Sequence, residues 1–74
     1  MKYYYILYTT VSETGSVNQR ISENLEELEK EVPNYCNWYD VKGSCYIRKI
    51  DEKFQTQELR HYRNGKVDSI DIYN

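Results

Sequence analysis

The chain has no alanine, one proline, three glycines, one histidine and two cysteines among its 74 residues. No apolar run approaches the roughly 20 residues that a bilayer-spanning helix needs. Each shortage excludes something. So few glycines leave no glycine-rich loop to cradle a phosphate, and Asn64-Gly65-Lys66 is explained by the hairpin turn it would make. His61, Cys36 and Cys45 fall short of the four or so ligands that zinc takes, so neither a metal nor a cofactor is expected. Charge is also lacking in one direction: ten Lys and Arg stand against twelve Asp and Glu, a net charge of −2. That balance gives no bulk attraction to nucleic acid or to an anionic membrane surface.

The N-terminus lacks a secretory pattern, because Lys2 leads into a tyrosine-rich segment without a small-residue cleavage site. A cytoplasmic location is the expectation. There, Cys36 and Cys45 would be small buried thiols rather than a disulfide. The missing alanines, set against many Tyr, Asn, Ile and Lys residues with AT-rich codons, suit a small accessory gene of a phage or mobile element in a low-GC bacterium. Length points to one domain. A chain this short buries only about 60% of the surface it exposes when unfolded, so few residues can be spared for a deep active site.

What is present begins with Tyr3-Tyr4-Tyr5-Ile6-Leu7-Tyr8-Thr9-Thr10-Val11, which reads as a central strand because β-branched and aromatic side chains suit the pleat better than a helix. Alternation puts Tyr3, Tyr5, Leu7, Thr9 and Val11 on one face and Tyr4, Ile6, Tyr8 and Thr10 on the other. Neither set suits full exposure to water, so cover is expected on both sides. A turn at Ser12 to Ser16 follows, and then two readings of Val17–Ile21 compete. It either returns along the first strand as a hairpin, the reading favoured here, or belongs to a helix capped by Ser16 and Gln19.

The helix itself rests on Ile21, Leu25, Leu28 and Val32, spaced by four, three and four residues, with Ser22 or Asn24 as cap and Pro33 as its end. From Asn34 the composition turns to strand. Tyr35–Val41, Cys45–Ile50, Phe54–Tyr62 and Lys66–Tyr73 are extended runs, the last two joined by Arg63-Asn64-Gly65, a strong hairpin signal. The fold class is therefore α+β, one amphipathic helix packed on an antiparallel sheet of four to five strands, in the order β-β-α-β-β-β with a terminal three-strand meander. In the core, Leu25 and Leu28 would meet Ile6 or Leu7, with Ile70 and Ile72 in the same layer.

No arrangement of residues here is a catalytic signature. Cys45, His61 and Asp71 exist as residue types for a nucleophilic trio, but no elbow or oxyanion motif surrounds them. Two surface features carry the functional reading, each beside a plainer one. The helix has five Glu against one Lys between positions 23 and 31, which is either an ordinary solvated face or an acidic docking surface built on Glu23 and Glu27. The aromatic segment around Tyr35, Trp38 and Tyr39, with Tyr46, is either core packing or a protein-binding hot spot.

A small non-enzymatic factor that binds a larger host or phage protein, as an accessory or inhibitor, is the expected function. The alternative is a nucleic-acid-binding module in which Arg60, Arg63 and Lys66 hold phosphates and Tyr62 stacks on a base. Unpaired sheet edges and a small core also make a homodimer an expectation.

Overall fold

The computed structural model describes residues 2–11, 16–37 and 42–73. Among them, β1 (Tyr4–Val11) and β2 (Ser16–Ser22) form a hairpin, followed by two short helices, α1 (Leu25–Glu29) and α2 (Val32–Cys36). Strands β3 (Ser44–Ile50), β4 (Thr56–Arg63) and β5 (Lys66–Ile72) complete an antiparallel sheet in the order β2-β1-β3-β4-β5. The class is α+β with the expected element order, and β1 is a central strand, as its composition requires. Val17–Ile21 is strand: Ile6 stands opposite Ile21 and Thr10 opposite Val17.

Local chemistry explains the helical segment. Asn24 caps α1, its Oδ1 accepting the Glu26 N–H at 3.0 Å, while Ser22 Oγ accepts the Asn24 N–H and donates to Glu27. Pro33 does not end helical structure as its type suggests. It lacks the N–H that would bond the Glu29 carbonyl and its ring would clash there, so α1 stops at Glu29 and a second helix starts with Pro33 in its first turn. Tyr35 and Cys36 are consequently helical rather than extended. The β4–β5 turn is as expected, with Asn64 and Gly65 both at positive φ, 53° and 85°. It docks on the turn before β3: Gly43 accepts the Asn64 N–H through its carbonyl at 2.8 Å, and a side chain at Gly43 would collide with Asn64 Oδ1.

The core lies on one side of the sheet. Leu28, Val32 and Cys36 of the helices pack on Leu7, Cys45, Ile47 and Tyr62, with Tyr5, Leu25 and Tyr35 at its edge. Thr9 is buried in the same layer and donates from Oγ1 to the Ser44 carbonyl at 3.3 Å. Two expectations about this layer need correction. Ile21 is not part of the helix stripe; it lies in β2 and is 58% exposed. Ile70 and Ile72 share the helix-side rows, opposite Arg60 and Glu58, but α1 and α2 sit over the other strands and leave both exposed, along with Val67.

Candidate functional site

Neither helix lies over the second face of the sheet, and among the described residues only its corner, where Ile50 is buried opposite Tyr4, is closed off from solvent. Register assembles it in rows. Tyr8 stands opposite Tyr46, Tyr46 opposite His61 and His61 opposite Ser69, while Ile6, Arg48, Leu59 and Asp71 form the next row. Neighbouring strands lie about 4.8 Å apart, close to an aromatic stacking distance, so rings on adjacent strands can stack across the sheet. They do. The Tyr8 and Tyr46 centroids are 5.3 Å apart with planes at 21°, and Tyr46 and His61 are 4.9 Å apart at 16°. Coplanar rings would clash at such separations, so the faces are turned toward one another and edges and polar tips face outward.

Both ends of the row are fixed. His61 Nδ1 is 3.2 Å from Asp68 Oδ2, and Nε2 is 3.3 Å from Ser44 Oγ. Arg48 Nη2 donates to Tyr8 Oη at 3.3 Å, and the guanidinium lies 5.6 Å from the Tyr8 ring centroid. Arg48 Nε is buried without a partner, and no carboxylate pairs with Arg48 among the described residues. A cation thus sits between Ile6 and Leu59 with no counter-ion among the described residues. Beside Tyr8 a shallow cleft is lined by Ile6, Gln19 and Arg48.

At one corner, Tyr4, Ile21, Ile50, Glu52 and Phe54 line a second, mostly apolar cleft. Phe54 is 81% exposed and sits at φ 64°, in the left-handed region that costs a bulky residue on the order of 1–2 kcal/mol. Buried Asp51 holds this loop in shape. Its Oδ1 accepts the Lys53 and Gln55 N–H groups at 2.8 and 2.9 Å, its Oδ2 accepts from Gln57 Nε2 at 2.9 Å, and its carbonyl accepts the Phe54 N–H at 3.0 Å. The loop therefore presents an aromatic ring to solvent from a braced, strained backbone.

The residues singled out from sequence fall in different places. Tyr46 is at the centre of the open face. Tyr35 is half-buried against the core from α2, and Trp38 and Tyr39 lie outside the described residues. Glu23 pairs with Lys2 at 2.6 Å, and Glu27 with Arg20 at 3.5 Å; Arg20 also reaches Glu31 at 3.6 Å. Part of the acidic surface of the helices is therefore answered within the chain.

The basic set is split. Tyr62 is 3% exposed in the core, where burial pushes its hydroxyl pKa up and the Arg60 guanidinium holds it partly back. Its ring has no free face for a base, and its Oη has no hydrogen-bond partner among the described residues. Arg60 forms an ion pair with Glu58 on the helix side, while Arg63 and Lys66 stand opposite each other, exposed, at the hairpin end.

The trio Cys45, His61 and Asp71 is not assembled, because Cys45 belongs to the core layer and His61 to the opposite face. The structure instead orders Asp68, His61 and Ser44 with a carboxylate on Nδ1 and a hydroxyl on Nε2, the sequence of partners in a nucleophilic relay. Both contacts also orient the imidazole for its stack on Tyr46. Among the described residues no group of three or more His, Cys, Asp or Glu could hold a metal, and no helix is long and apolar enough to cross a membrane. Compared with protein-family models, curated proteins and solved structures, the chain matches none.

Sequence reasoning placed Tyr4, Ile6, Tyr8 and Thr10 on one face of β1 and expected that face, like the other, to be covered; the helices cover only the other. The signal was available: a single amphipathic segment can cover only one side of a sheet. Arg48, His61 and Phe54 carried no such signal, since their positions depend on register and on the loop.

Proposed function

We propose that this chain is a non-enzymatic interaction factor of the cytoplasm, of the accessory or inhibitor kind carried by phages and mobile elements, whose open sheet face binds a larger protein. The observation that carries this reading is the uncovered row Tyr8-Tyr46-His61 flanked by Ile6, Ile21 and Leu59. Tyrosine rings with fixed neighbours give large contact area at low entropic cost, the chemistry of binding hot spots. Arg48 narrows the partner to a protein surface that is apolar at its centre and offers a carboxylate, because a guanidinium that has no counter-ion among the described residues is completed by one. Phe54 and its cleft extend the surface as an anchor at its corner.

The test is capture of a partner from a low-GC bacterial lysate on immobilised wild type, Tyr46→Ala, Arg48→Glu and Glu27→Ala. Wild type and Glu27→Ala should retain the same protein, and the two open-face variants should lose it by tenfold or more, with nuclease treatment making no difference. Loss through Glu27→Ala alone would move the site to the helices. A nuclease-sensitive complex would favour nucleic acid, for which Arg63 and Lys66 remain the exposed cations. Asp68, His61 and Ser44 are assigned the role of locking the stack. Wild type and Ser44→Ala should therefore hydrolyse p-nitrophenyl acetate at the same rate, and a Ser44-dependent burst would overturn the non-enzymatic part of the reading.

A second reading, a homodimer, is favoured by β5, an edge strand with Val67, Ile70 and Ile72 all exposed. Light scattering that gives twice the 9.0 kDa chain mass, returned to one chain mass by Ile70→Lys, would support it. A mass of one chain at all micromolar concentrations would remove it.

A further inference from the structure

Two thiols meet inside the covered layer. Cys36 is the last residue of α2 and Cys45 the second of β3, both are buried, and their sulfurs are 3.4 Å apart. Cys45 Sγ also lies 3.9 Å from the Val32 carbonyl, so the thiol pair is enclosed by the helix it would be tied to. We propose that Cys36 and Cys45 form a reversible cross-linking site, closing into an intramolecular disulfide that fastens α2 to the central strands.

The distance to be closed is short. A disulfide bond is about 2.05 Å long, and the movement needed falls on a side chain at the end of a five-residue helix rather than on the sheet. These are the chain's two cysteines, so no other internal pairing competes. With a small-molecule disulfide of the glutathione class as oxidant, the Cys36 thiolate attacks one of its sulfurs, forming a mixed disulfide and expelling one glutathione thiolate. The Cys45 thiolate then attacks the Cys36 sulfur and expels the second. Two protein thiols are oxidised, one glutathione disulfide is reduced to two thiols, and the two protons pass to the leaving thiolates.

Burial governs the rate. It pushes the Cys45 pKa well above the ordinary thiol range, an effect to which the neighbouring Cys36 adds, so little thiolate forms while α2 is seated. Oxidation therefore proceeds when α2 lifts. A helix of this length has little stability of its own and is held by the burial of Val32 and Cys36. The ring so closed contains residues 37–44, including Trp38 and Tyr39, and the cross-link restricts that aromatic segment through covalent connectivity alone.

The test is refolding of the full chain from urea in a buffer of reduced and oxidised glutathione, with acid quenching and mass spectrometry, so that access to the buried thiols is not limiting. The expected product is a monomer lighter by two hydrogens, with the Cys36 and Cys45 peptides linked and the link reversed by dithiothreitol. Its urea midpoint should lie above that of the reduced chain, and Cys36→Ala and Cys45→Ala should each give only the glutathione adduct. A wild-type chain that stays reduced in excess oxidised glutathione, or that ends as glutathione adducts or linked dimers, would overturn the proposal. So would a cross-linked monomer with a lower urea midpoint than the reduced one.

Discussion

The two faces of the sheet are built from comparable residues and have opposite fates. On the helix side Leu7, Ile47 and Tyr62 are buried under Leu28, Val32 and Cys36; on the other, Ile6, Tyr46 and Leu59 stay partly exposed around Arg48, which has no carboxylate partner among the described residues. Apolar content therefore does not decide which face becomes core. Cover does, and the helical segment is long enough to cover only one face, and not even the whole of that, since β5 lies beyond it. The lesson is that a face with core-like composition and no cover is an unfinished core, which is why the open face is the candidate binding surface.

The largest expected difference between the faces is in stability. Leu28, fully buried, leaves a cavity when truncated, and such a change costs about 2–5 kcal/mol. A core this small supplies roughly 3–5 kcal/mol, so Leu28→Ala should be largely unfolded in a urea titration at room temperature. Tyr46→Ala should cost less than Leu28→Ala, because it leaves no enclosed cavity and loses two aromatic pairs of about 0.5–1.5 kcal/mol each. Equal losses would erase the distinction between core and binding face.

Alkali should act through the covered face. Cys45 and Tyr62 both have folded pKa values raised by burial, so above the unfolded values the unfolded chain releases protons that the native chain keeps. Their stability contribution is intact below about pH 9 and is lost as pH rises, by at most about 1.4 kcal/mol per pH unit for each group. Cys45→Ala should flatten the part of the slope that begins near pH 9. A slope unchanged in that variant would mean that Cys45 is not the group responsible.

Smaller effects sharpen the contrast between packing and display. Phe54→Gly removes a side chain that is almost wholly in solvent and relieves its left-handed backbone, so the urea midpoint should rise, by up to about 1 kcal/mol in stability. A clear fall would show that Phe54 is held for the fold and not for a partner. Tyr62→Phe removes a buried hydroxyl that has no hydrogen-bond partner among the described residues, and should leave stability within about 1 kcal/mol of wild type or above it. A loss beyond that would reveal a hydrogen bond to Oη. Smallest of all, Glu27→Ala breaks an exposed pair with Arg20 and should change stability by less than about 0.5 kcal/mol.

By itself the sequence determined the elements whose signals are local. The β-branched and aromatic run of β1, the Asn24 cap, the Asn64-Gly65 turn and the Leu25-Leu28-Val32 spacing each act over a few residues, and with the Val17–Ile21 hairpin they suffice for the α+β class and the element order. Pro33 was legible as a break but not as the start of a second helix, because a proline is equally at home just past one helix and in the first turn of the next. Tertiary structure decided what lay between distant residues. Strand order and register brought Tyr8, Tyr46 and His61 into one row, set the two thiols side by side, sent Tyr62 into the core and left Ile70 and Ile72 outside it. Alternation can tell which residues share a face of one strand, but which face the helices cover depends on where the hairpin and its connections let them settle, and that is a property of the whole chain.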